Sequence, residues 1–176
     1  MDSLHLEEYR SLRAVIRERG SLRVVLFAVT IAAWALAVIA IAALLVQPLA
    51  ALVPLLILVA GFEAVHALHV GAERIGRYVY VRYERDGGPA WETTMGTFGT
   101  GQRSIVGRPS GAHFAVVFAL AVAANLMVLA LSALPVELAA LAVIHALAVA
   151  RFAAARHAAA SQRAHDEARF REMLKC

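Results

Sequence analysis

Glu63, His66, His69, Glu73, Arg74, Arg77 and Tyr80 fall within eighteen consecutive residues. At ~100° per residue, six of them, Glu63, His66, His69, Glu73, Arg77 and Tyr80, share an arc of about 120° of one helix. Ala64, Val65, Leu68 and Ala72 lie opposite. Carboxylates and imidazoles on one face can relay protons, bind an ion or ligate a metal. Glu63 is the costly member. It lies ~10 Å of helix inside the end of an apolar stretch near Val70, where a charged side chain is expensive and is by default a candidate functional group. A neutral Glu63, or an ion pair with a protonated His66 one turn away, reduces that cost.

Two further polar residues sit deep in apolar sequence. Asn125 is mid-way along Phe114 to Leu134, and His145 lies five residues before Ala150. Each suits a hydrogen bond between helices, usually worth ~0.6 to 2 kcal/mol. The bland reading of the whole set is a polar lock, with Asn125 and His145 as partners of the Glu63 and His66 face.

Three kinds of chemistry are consistent with these residues. His66 and His145 could ligate a haem b between two helices, since neutral imidazoles suit such iron. The first apolar stretch, however, carries no histidine. Glu63, His66, His69 and Glu73 could surround a metal; Glu63 and His66 form a Glu-x-x-His half-motif, but no second Glu accompanies His145 at the required spacing. For a metal, the candidates are Glu63, His66 and His145. The third kind is non-enzymatic: a transporter, channel or accessory subunit in which the stripe lines a vestibule or a joint. The residues favour this third reading, with a proton- or ion-responsive polar core.

The elements that must carry these residues are membrane helices. The chain is 61% hydrophobic with a mean hydropathy of +0.68, more than a soluble domain of 176 residues would carry. Val24 to Val46 is 23 residues without a charge, or about 34 Å of helix at ~1.5 Å per residue, enough for a hydrocarbon core of ~30 Å. A secretory h-region is shorter, so this reads as a retained span. Further spans run from about Ala50 to Val70, Phe114 to Leu134 and Val136 to Ala150, with prolines at 48 and 135 marking the turns. The expected fold is all-α and integral to the membrane: four transmembrane helices as two hairpins, with helices 2 and 4 extended into the cytoplasm.

Orientation follows from charge. The seventeen lysines and arginines fall in three blocks, Arg10 to Arg23, Arg74 to Arg108 and Arg151 to Lys175, and none lies in either hairpin turn. The positive-inside rule then places all three blocks, and both termini, on the cytoplasmic side of an inner membrane. The net charge of +4 reflects this topology and attraction to anionic lipid head groups, not nucleic-acid binding, because the arginines flank spans and are interleaved with acids. Alanine-rich spans favour close packing, so a homo-oligomer or a membrane partner protein is expected. Cys176 is the only cysteine, which rules out an internal disulfide and a cysteine-based metal cage within one chain.

The expected organisation is a cytoplasmic amphipathic segment over 1–22, hairpin 1 over 23–70, a helical extension and glycine-rich loop over 71–112, hairpin 2 over 113–152 and a C-terminal helix over 153–176. In the first segment Asp2 or Ser3 caps, Gly20 ends the helix, Tyr9, Leu12, Val15 and Ile16 form an apolar face, and Arg10, Arg13 and Arg17 a basic one. No strong breaker occurs between Phe62 and Arg85, so the second helix is expected to reach about Glu84. Neither Gly nor Pro occurs between Val136 and Leu174, which predicts one helix of about 58 Å at ~1.5 Å per residue. The loop holds seven of eleven glycines, with Trp91 and Phe98 placed to dip among head groups. Its string Gly96 to Ser104 superficially has the look of a phosphate-binding loop, but Gln102 stands where the lysine belongs. His66 to Val70 and His145 to Val149 match at four of five positions, a faint parallel repeat.

Overall fold

In the computed structural model, residues 3–44, 48–84, 111–130 and 133–174 are described, and all the regular structure among them is helical. The elements are α1 (Ser3–Leu44), a 3₁₀ turn (Pro48–Ala51), α2 (Leu52–Val79), a π-helical turn (Tyr80–Glu84), α3 (Gly111–Ala130) and α4 (Pro135–Met173). Four helices are long and apolar enough to cross a membrane. The glycine-rich connection, with Trp91, Phe98 and the Gly96 to Ser104 string, lies outside the described residues, as does Ser132.

The helix boundaries have local causes. Pro54 occupies the third position of α2, where its missing N–H would have had no intrahelical acceptor. Pro135 opens α4, its fixed φ being suited to a first helical residue. The Glu137 carboxylate accepts a hydrogen bond from the Leu134 backbone N–H at 3.1 Å, which satisfies a donor that the helix start leaves over. α4 then continues unbroken for 39 residues, as the run without Gly or Pro predicts. α2 reaches Glu84 as expected, but its last turn widens to π register.

Gly20 does not end the first helix. α1 is a single helix of 42 residues. A Cβ at Gly20 would meet nothing within 4 Å, so no close approach demands glycine there. Its cost of about 1 kcal/mol relative to alanine is borne by the good helix formers around it and by the contacts α1 makes on either side.

By compactness the chain divides into two units. One comprises Val24–His66 and Gly111–Arg156; the other comprises Met1–Arg23, Ala67–Ser110 and His157–Cys176. The first unit is built on aromatic rings from all four helices. Phe62 lies 4.1 Å from Phe152 and 5.6 Å from Phe118, centroid to centroid, while Phe27 meets Phe114 at 4.8 Å and Phe118 at 5.6 Å. Most of these pairs are edge-on, the arrangement that ring quadrupoles favour. Leu55, Leu58, Val65, Val122 and Ala148 are among the buried residues packed with these rings. α1 also makes one close contact with α2. Thr30 is its one buried described residue, its hydroxyl donates to the Leu26 carbonyl at 2.7 Å, and Gly61 of α2 sits directly against it. Leu36, Ile39 and Leu44 of α1 remain well exposed, on a helix long and apolar enough to cross a membrane.

The second unit is held by polar and aromatic contacts. Tyr83, in the π turn, packs edge-on against Tyr9 at 5.6 Å and His5 at 6.5 Å. Tyr78 packs against Phe170 at 5.5 Å. The segment expected to be a separate surface helix is thus an integral part of this unit.

Candidate functional site

The stripe on α2 follows one arc in sequence, but its members are divided among different partners. In the first unit the Glu63 carboxylate takes both ends of a guanidinium: Arg151 Nε lies 2.9 Å from Oε1 and Nη2 donates to Oε2 at 3.0 Å. This planar, two-point geometry is the strong form of an ion pair. Neither Asn125 nor His145 is Glu63's hydrogen-bonded partner here, contrary to the sequence-based lock. His66 stacks on the Phe62 ring, centroids 5.5 Å apart and 8° from parallel.

Asn125 and His145 bind each other. Both are 2% exposed. His145 Nδ1 lies 2.7 Å from the Leu141 carbonyl, which can only accept, so the proton sits on Nδ1 and Nε2 is left as an acceptor. Asn125 Nδ2 donates to that Nε2 at 2.9 Å and to the Ala51 carbonyl at 3.1 Å. Both amide hydrogens and both ring nitrogens are therefore satisfied, and the set ties α3 and α4 to the 3₁₀ turn that precedes α2. The Ala51 carbonyl could not have been found from side-chain types, because it is a backbone group that meets Asn125 only through the way the turn packs against α3.

In the second unit His69, Glu73 and Arg77 form a chain of polar contacts with Arg23 and Asp166. Arg23 Nη1 lies 2.7 Å from His69 Nδ1; His69 Nε2 lies 3.4 Å from Glu73 Oε1; Glu73 Oε2 accepts from Arg77 Nη2 at 2.9 Å; and Arg77 Nη1 donates to Asp166 Oδ2 at 2.7 Å. Arg74 Nε approaches the same Asp166 oxygen at 3.6 Å. The i,i+4 steps His69 to Glu73 and Glu73 to Arg77 were legible as neighbours on a helix face. Arg23 and Asp166 were not, since they are 46 and 89 residues from their partners. Tyr80 is half-buried.

A second polar focus was not anticipated. Glu8 of α1 accepts a hydrogen bond from the Tyr78 hydroxyl at 3.1 Å. The buried Tyr83 hydroxyl interacts with the same carboxylate without reaching well-aligned hydrogen-bond geometry. Tyr83 above all, then Tyr78 and the charges of Arg82 and His5, outweigh burial and hold Glu8 below the usual carboxylate range. Burial, and next its interaction with Glu8, push Tyr83 up to about 12. Tyr78 is raised for the same reasons, burial first.

No protein-family model, curated protein or solved structure matches this chain. What the site can do chemically therefore rests on its geometry. Among the described residues no group of three or more His, Cys, Asp or Glu side chains is gathered as a metal cage. Iron ligation by His145 needs Nε2, and Nε2 accepts from Asn125, so a haem there would require opening the buried hydrogen-bond set. Glu63 is bonded at both oxygens to Arg151, so a cation at Glu63 would have to displace a guanidinium.

Proposed function

We propose that this protein is a multi-pass protein of the cytoplasmic membrane, with two helical hairpins and both termini in the cytoplasm, and that it serves as a non-enzymatic accessory subunit of a membrane assembly. The observation that carries this reading is that both amide hydrogens of Asn125 and both ring nitrogens of His145 are engaged, with each other and with the Ala51 and Leu141 carbonyls. A transport path needs polar groups that exchange partners with cargo; these are used to join helices. Glu63 and Arg77 act in the same way, as charge-paired joints from α2 to Arg151 and Asp166 of α4. The exposed apolar surface of α1 and the long charged end of α4 would meet lipid and a second protein, either another copy or a different membrane protein. The arginine blocks in the N-terminal half of α1 and the C-terminal half of α4 would sit among anionic head groups.

A conduit reading keeps one foothold. The Glu63 and Arg151 side chains are 38% and 54% exposed, so that pair is accessible enough to respond to an ion or a proton. The two readings predict opposite results for Glu63→Gln. For an accessory subunit the amide keeps shape and most hydrogen bonding, and the variant should complement a gene deletion. For a conduit the lost charge should abolish complementation despite normal expression. Glu63→Leu is expected to lower the melting temperature in detergent under either reading, because Arg151 loses both of its bonds. Loss of function in a stably folded Glu63→Gln would sink the accessory reading.

Orientation has its own test. In a Cys176→Ser background, cysteines at Leu49 and Val136 are expected to react with membrane-impermeant thiol reagents added to spheroplasts, and a cysteine at Ser161 only after lysis. The opposite labelling pattern would reverse the topology.

A further inference from the structure

The contact between Arg23 and His69 has a chemical property that the other links of the charge chain lack. A guanidinium has only donors to offer. Because Arg23 Nη1 lies 2.7 Å from Nδ1 of His69, that nitrogen must be the unprotonated acceptor, and the ring's proton is on Nε2, the nitrogen facing Glu73 at 3.4 Å. The arrangement is consistent only while the imidazole is neutral.

We propose that the Arg23–His69 hydrogen bond is a proton-operated latch between α1 and α2. Uptake of one proton at Nδ1 turns an acceptor facing a donor into a donor facing a donor, and places two cations in contact. The bond must then open. The proton comes from water, since the His69 side chain is 13% exposed. This latch goes beyond the accessory role, which neither requires it nor fails with it.

The surrounding charges act in both directions. From α1, Arg23 opposes the imidazolium directly, and Arg19 adds positive charge where its guanidinium lies against Gly71. From α2, Glu73 favours it, while Arg77 and Arg74 oppose it. From α4, Asp166 favours it at longer range but is already engaged by Arg77 and Arg74. Protonation therefore tightens His69 onto Glu73, on its own helix, as it releases Arg23 on the other. The Arg77–Asp166 bond between α2 and α4 contains no histidine and stays closed. Acidification thus loosens α1 from α2 locally, at Arg23, and leaves the Glu8–Tyr78 bond and the α2 to α4 contact in place.

The test uses spin labels on cysteines replacing the exposed Ser21 of α1 and Ala67 of α2, in the full chain with Cys176→Ser, reconstituted in nanodiscs. In the native background the short-distance population should be lost reversibly as pH falls from about 8 to about 5, the range that only histidine spans with an unperturbed side chain. His69→Asn keeps an acceptor oxygen near the place of Nδ1 without a titratable proton, so the short distance should persist at both pH values. Arg23→Met removes the donor and should give the open distribution at both. A native distance that ignores pH overturns the latch. So does a pH shift that survives in His69→Asn, which would assign it to Glu73, Asp166 or another acid. Should His69→Asn fail to fold, a pH shift that survives in Arg23→Met overturns the latch, and a distribution there that stays open at both pH values supports it.

Discussion

Asn125→Leu is expected to lower the stability of the protein in detergent by more than loss of a surface hydrogen bond would. The substitution keeps bulk and removes both donors at once, leaving His145 Nε2 without the Asn125 donor and taking one bond from the Ala51 carbonyl. Leaving a buried polar group unsatisfied costs ~1 to 3 kcal/mol, and interhelical bonds in membranes set a lower figure of ~0.6 kcal/mol. His145→Leu strands one Asn125 hydrogen only and should cost less. The double replacement should cost less than the sum of the two, with a coupling of ~0.5 to 3 kcal/mol. Thermal melts of the four proteins in one detergent complete the cycle. Strict additivity would show that the two side chains do not act as a pair.

A methyl group at Gly61 should be equally disruptive, for a steric reason. A Cβ there would lie 2.8 Å from Thr30 Cβ and closer still to Thr30 Cγ2. Thr30 cannot simply rotate away, because its hydroxyl is tied to the Leu26 carbonyl. The helices must separate or Thr30 must leave its rotamer, a cost of ~1 to 3 kcal/mol for overpacking. The sign discriminates. Were the approach of α1 and α2 looser, Gly61→Ala in mid-helix would stabilise the protein by ~0.5 to 1 kcal/mol through helix propensity. The expected result is a lower melting temperature for Gly61→Ala, recovered in large part by Thr30→Gly in the same chain. A Gly61→Ala variant as stable as the native protein would show that α1 and α2 do not approach this closely at Thr30.

These two sites differ in how far they could be read in advance. Asn125 and His145 stand out as polar residues in apolar runs, because an apolar side-chain surrounding offers them nothing to bond to. Their mutual pairing does not stand out, since it depends on which faces of α3 and α4 meet. Gly61 gave no signal at all: a glycine within a helix is equally consistent with tolerance, as at Gly20, and with a close approach. The aromatic core was likewise hidden. Phe27, Phe62, Phe118 and Phe152 lie one or two to a span, and nothing in their spacing predicts that they converge.

Composition and periodicity by themselves determined that the chain is helical, that four helices are long and apolar enough to cross a membrane, that α2 extends to Glu84 and that α4 runs unbroken to Met173. These are properties of single helices, set by residue-by-residue propensity and by the length of charge-free runs. The six-residue stripe was also legible, because positions on one helix face follow from a fixed rotation per residue. The tertiary structure alone decided that the stripe serves several partners: Glu63 bonded to Arg151, His69 to Arg23, and Arg77 to Asp166. Those partners are 46 to 89 residues away, and at such separations the choice of mate depends on how helices are rotated and stacked against one another. That rotation is a sum of many small packing terms spread over the whole chain, and no local pattern carries it.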